Sequence, residues 1–108
     1  MAYVLLRLRH CRASFPFDAN AAEKAAMEAH SAFWLTQTKL GRALAVGPVL
    51  DPAGAWGLAL VEVADEDEAR DLLSKDPVIE ADLGFTYEVL PVPSLLLRRS
   101  LSGVPEDV

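Results

Sequence analysis

Apolar positions are densest between Arg42 and Val63, where two runs flank a turn at Asp51-Pro52-Ala53-Gly54. This is the pattern of a β-hairpin. Pro48 in the first run cannot donate a ladder hydrogen bond, which predicts an edge or bulged strand. In the second run one face carries Trp56, Leu58, Leu60 and Glu62, and the other carries Gly57, Ala59, Val61 and Val63. Both faces are largely apolar, so the strand needs cover on both sides.

Tyr3–Arg9 alternates and predicts a first strand, with Val4, Leu6 and Leu8 on one face. His10–Phe17 reads as a connection. A long helix is expected from about Ala21 to Leu40. Asn20 with Glu23 forms a capping box at its start, and Gly41 supplies the left-handed stop. Ala22, Ala26, Ala29, Phe33 and Leu40 form its expected inward stripe. Asp65 and Glu68 cap a second helix, with Ala69, Leu72 and Leu73 inward. Asp76-Pro77 restarts a short one. Phe85–Val92 alternates as the last strand, with Phe85, Tyr87 and Val89 on one face.

The order βαββαβ is that of a ferredoxin-like α+β fold with a four-stranded antiparallel sheet and right-handed crossovers. Both helices then lie on one side of the sheet. The other side would carry Tyr3, Leu5, Arg7, Trp56, Leu58, Leu60, Glu62, Thr86, Glu88 and Leu90. Monomers rarely leave so large an apolar patch in water, so the pattern predicts a homodimer packed sheet to sheet. Arg7 would neutralise Glu62 or Glu88 across neighbouring strands. The folded domain is expected to span residues 1–92, with 93–108 as a C-terminal tail. In that tail a leucine run, Leu95–Leu97, is a candidate to pair with a sheet edge or a partner subunit, and the last residues, Gly103–Val108, read as frayed.

Composition narrows the function. The chain has 108 residues, enough for one domain, and its formal net charge is -6. That charge argues against nucleic-acid binding. Its single cysteine, Cys11, forms no internal disulfide and makes no structural zinc site alone. The acidic run Asp65–Glu68 reads as a solvated first helical turn, not as metal ligands. Phosphate-loop, Gly-x-Ser-x-Gly and paired-histidine zinc patterns are absent from the sequence. Arg7 and Arg9 interrupt the N-terminal apolar run too early for a signal peptide. No stretch is long enough for a membrane helix. A cytoplasmic protein that does not engage membranes is expected.

His30, then Gly41-Arg42-Ala43-Leu44-Ala45-Val46-Gly47-Pro48, then Asp76-Pro77-Val78-Ile79-Glu80-Ala81 together resemble the YCII-related (YciI-like) proteins. The recurring pattern there is a helical histidine, a Gly-Arg/Lys-x-Leu-x-x-Gly-Pro strand and an Asp-Pro after the second helix. The resemblance covers roughly Tyr3–Val92, and it implies a dimeric α+β barrel. Asp82 stands where such proteins often carry glycine. The resemblance also implies an active-site pair, matched here by His30 and Asp76. It implies proton transfer or elimination on a small organic compound, and no cofactor.

The residues support that assignment to different degrees. Imidazole takes and gives protons near neutral pH, and His30 sits at the border of the helix stripe, among Ala26, Phe33 and Trp34. Asp76 before Pro77 reads first as a helix N-cap, whose second oxygen remains free to orient a histidine. Arg42 is a candidate to hold an anionic substrate, or a solvated charge at a strand start. Gly47 and Pro48 would let backbone approach a ligand, or simply make a bulge. His10 and Ser31 are weaker candidates. Trp34 and Trp56 read as core or interface. Two rival functions remain open on the sequence: a non-catalytic small-ligand-binding or accessory dimer module, and a cofactor-free monooxygenase of the related barrel type. Convergence of His30 and Asp76 on a pocket would separate the enzyme from the binding module.

Overall fold

The computed structural model describes residues 1–98. Its elements run β1 (Ala2–Arg9), α1 (Ala21–Lys39), β2 (Ala43–Val49), β3 (Trp56–Val63), α2 (Glu66–Ser74), α3 (Pro77–Glu80) and β4 (Thr86–Val92). The four strands form one antiparallel sheet in the order β2-β3-β1-β4. The chain is therefore the expected α+β fold of the ferredoxin-like type. The stretch from Arg99 onward, including the frayed end expected at Gly103–Val108, lies outside the described residues.

Local chemistry sets the element ends. The Asn20 side chain accepts from Glu23 N–H at 2.8 Å, and the Glu23 carboxylate accepts from Asn20 N–H at 2.9 Å. This is the reciprocal capping box. At the other end Gly41 has φ 82°. Gly41 N–H donates to the Thr38 carbonyl, and Arg42 N–H donates to the Gln37 carbonyl, which together close a Schellman turn. Asp65 caps α2 by accepting from Glu68 N–H at 2.9 Å. Pro48 falls on the edge strand β2, opposite Gly57, and an edge strand is where a residue without an N–H is tolerated.

The sheet's helix-covered side carries Val4, Leu6, Ala59, Val61 and Val63, packed with Trp34, Ala69 and Leu72. A second cluster of Leu8, Phe15, Ala26, Val78 and Phe85 lies at the far end of β1. On the other side Tyr3, Leu5, Trp56, Leu58 and Leu60 are half-buried and Leu90 is exposed. The Arg7 guanidinium lies 4.5 Å from the Trp56 ring centroid. Arg7 and Arg9 both approach Glu88 Oε1, at 3.5 and 3.2 Å. Glu88, rather than Glu62, is thus the carboxylate they share.

The inward face of α1 differs from the expected stripe. Ala26 is buried and Phe33 partly so, but Ala22, Ala29 and Leu40 are exposed. The buried positions are Glu23, Ala26, Trp34 and Gln37. The helix is turned so that polar side chains with waiting partners face inward. Arg12 donates to both Glu23 oxygens, at 2.6 and 2.8 Å, and Asp76 draws in His30 and Trp34. A count of apolar residues cannot register such partners, because they come from elsewhere in the chain.

Candidate functional site

The site is built around Asp76, the N-cap of α3, whose side chain is fully buried. Oδ1 accepts from Val78 N–H at 3.0 Å and does the capping. Oδ2 accepts from three side chains on two other elements: His30 Nδ1 at 2.7 Å, Trp34 Nε1 at 2.9 Å, and the Tyr87 hydroxyl. His30 and Trp34 are one helical turn apart on α1 and so share a face. Tyr87 comes from the inward row of β4, between Phe85 and Val89. Trp34 Nε1 also donates to the Tyr87 oxygen at 3.1 Å. A buried Trp or Tyr brings a polar atom that needs a partner, and here one carboxylate serves both.

Electrostatics follow from this packing. Burial alone would raise the Asp76 pKa. The bonds from His30 and Tyr87, the charge of His30 and the Val78 N–H outweigh it and hold the carboxyl below its ordinary value. Asp76 is therefore an anion inside the protein. Burial, then the adjacent Asp76 charge, push the Tyr87 hydroxyl far above its ordinary range. Tyr87 stays protonated and acts as a donor. An ionised carboxylate can only accept, so the His30 proton facing it sits on Nδ1, and the other ring nitrogen, Nε2, keeps its lone pair in the neutral ring.

The ring of His30, 12% exposed at its side chain, lies in the wall of a cavity of about 540 Å³. The space opens between α1 and the β2–β3 side of the sheet, where Gly57 and Ala59 put little bulk under the helix. Its walls are mostly apolar, with Phe15, Met27, Leu35, Val46 and Leu50 among them. Side chains with polar atoms on the wall include His10, His30, Ser31, Thr38, Tyr87 and the indoles of Trp34 and Trp56. Among the described residues, no Asp, Glu, Lys or Arg side chain lines it.

Of the residues singled out in the sequence, His30 and Asp76 meet, and Gly47 and Pro48 line the same cavity. Arg42 does not; it is exposed at the foot of β2, outside the cavity lining. Ser31, Trp34 and His10 reach the wall although their sequence signals were weak. Tyr87 carried no signal except its place in the inward row of the last strand. Among the described residues, no group of at least three His, Cys, Asp or Glu side chains gathers as metal ligands. No described helix is long and apolar enough to cross a membrane.

The model of the YCII-related domain matches residues 1–93 of this chain. The chain belongs to the YCII-related family. No curated protein is similar enough to be matched with it. The family match ends where the last strand ends, so His30, Asp76 and every cavity-lining residue fall inside the YCII-related domain. Within it, Asp82 has φ 53°, the one positive φ outside glycine among the described residues. A left-handed backbone favours glycine at that point, and aspartate is among the residues that tolerate it.

Proposed function

We propose that this YCII-related domain is a small cytoplasmic acid/base enzyme acting on a compact organic molecule. His30 exchanges the proton, and Asp76 orients its ring and stabilises its imidazolium form. One observation carries this reading: His30 Nδ1 lies 2.7 Å from a fully buried carboxylate while the same ring borders an apolar cavity. A histidine needed only for packing would not call for a buried anion behind it, since burying charge costs stability. The cavity is of ordinary size for a small-molecule site. Its lining favours a largely apolar, uncharged substrate, and Arg42 lies outside that lining. The reaction class is proton abstraction beside a carbonyl, or elimination of a leaving group. The convergence of the pair on an open cavity favours this over a module that merely binds.

Solvent-proton exchange tests the reading without a known substrate. The protein is incubated in deuterated water with a panel of small neutral ketones and lactones, and deuterium uptake at carbon is read by mass spectrometry. Exchange above the protein-free rate in at least one compound, lowered about 10²-fold in His30→Gln, is expected. Equal exchange in the two proteins, or none in either, contradicts it.

We propose further that the molecule is a homodimer joined through the helix-free face of the sheet. The half-buried Tyr3, Leu5, Trp56, Leu58 and Leu60 would form an apolar centre, with the Arg7–Arg9–Glu88 charges beside it.

A further inference from the structure

A second imidazole reaches the cavity. The inward row of β1 runs Val4, Leu6, Leu8, and the next position in that row is His10, one residue beyond the strand. His10 and His30 both line the cavity, one from the end of a sheet strand and one from the helix above it. His10 Nδ1 lies 3.4 Å from the Phe15 carbonyl oxygen. Its ring meets Phe15 and Phe85 edge to face, with centroids 4.6 and 6.0 Å apart. A carbonyl only accepts, so Nδ1 carries the proton and Nε2 presents a lone pair. Burial lowers the pKa of His10, its bond to Phe15 opposes that, and the charge of His30 adds to the lowering. His10 therefore rests neutral at neutral pH. Behind His30 stands the Asp76 carboxylate, an anion that can stabilise an imidazolium, where His10 has only a neutral carbonyl. An anion behind one ring and a neutral carbonyl behind the other set apart the two imidazoles of one cavity, as an acid and a base need.

We infer that His10 is the proton acceptor of this site, working opposite His30 as the donor; the assignment rests on reading His30 as an acid/base group. A substrate C–H proton moves to His10 Nε2. The bonding pair becomes a new double bond. The leaving atom, or a carbonyl oxygen, takes the Nε2 proton of the His30 imidazolium. His10 ends as imidazolium and His30 neutral, and proton exchange with water resets both.

The probe is 5-nitrobenzisoxazole. It gives its ring C–H proton to a base while its N–O bond breaks, leaving a coloured cyanonitrophenolate, so an acceptor in an apolar cavity is enough to speed the reaction. The whole protein is expected to accelerate it. His10→Asn, whose amide can still donate to the Phe15 carbonyl, and His10→Phe, which keeps the ring packing, are both expected to lower the rate about 10²-fold. Melting temperatures serve as the folding control. The rate in the unaltered protein should rise with pH through a midpoint below the ordinary histidine value of 6.5, and this limb should vanish in the folded His10 variant. A rate in either folded variant equal to that of the unaltered protein overturns the assignment. If His30→Gln then falls to the buffer rate, the reading of His30 survives alone; if it too is unchanged, both fall.

Discussion

Asp76 uses its two oxygens for two purposes; the capping one is written in neighbouring residues, and the pairing with His30 was expected through the family resemblance alone. The Asp-Pro pair announces an N-cap because both partners are local. The bonds to His30 and Trp34 span 46 and 42 residues, and nothing local encodes them. The same holds for Glu23. Its capping role was readable from Asn20 three residues away, but its partner Arg12 lies in a connection with no periodicity. That pair has a consequence for acid stability. The Arg12 hydrogen bonds, with help from Asn20 N–H, hold the Glu23 carboxyl down at about 2, against an ordinary 4.5. A folded-state pKa below the unfolded one stabilises above the unfolded value and is lost as pH falls through the folded one. Urea unfolding across pH should therefore show the protein more stable than Arg12→Met above 4.5. The two curves should converge as pH falls towards 2, while parallel curves would contradict the pairing.

Helix α1 shows what an element reveals and what it hides. Its ends were legible because the capping box and the Gly41 turn are written in consecutive residues. Its rotation was not, because three of its inward positions are polar and are chosen by partners on α3 and in the connection after β1. The strands were easier, since a period of two leaves only two faces to choose between, and the mostly apolar β3 could be assigned from its neighbours. Gln37 is the inward position of α1 with an unmet need: its Oε1 is buried with no hydrogen-bond partner among the described residues. An unpaired buried acceptor costs about 1–3 kcal/mol, and a non-polar replacement of similar shape recovers part of that. Gln37→Met is expected to raise unfolding stability by about 1 kcal/mol in urea titration. A loss of that size would mean the amide is satisfied in solution.

At the scale of the molecule, the two sides of one sheet do different work. The helices roof one side incompletely, because Gly57 and Ala59 leave a space under α1, and the cavity with its two imidazoles occupies it. The other side keeps a band of large apolar side chains that the chain's own helices do not reach. The hydrophobic pattern made both sides legible, whereas the cavity was not, since absent volume leaves no periodic trace. A dimer through the bare side predicts a mass of two chains by light scattering at micromolar concentration, and one chain for Leu58→Arg with its melt preserved. A single-chain mass for the unaltered protein would refute it.

The most direct test of the His30–Asp76 pair is nitrogen NMR of the histidine rings in the whole protein, with and without 4-nitrophenol as a neutral cavity probe at mildly acidic pH. The geometry predicts that neutral His30 carries its proton on Nδ1, and that its Nε2 resonance moves when the phenol binds. A neutral His30 ring with its proton on Nε2 instead of Nδ1, or a ring whose signals ignore the bound phenol, would contradict a proton-transferring histidine at this cavity.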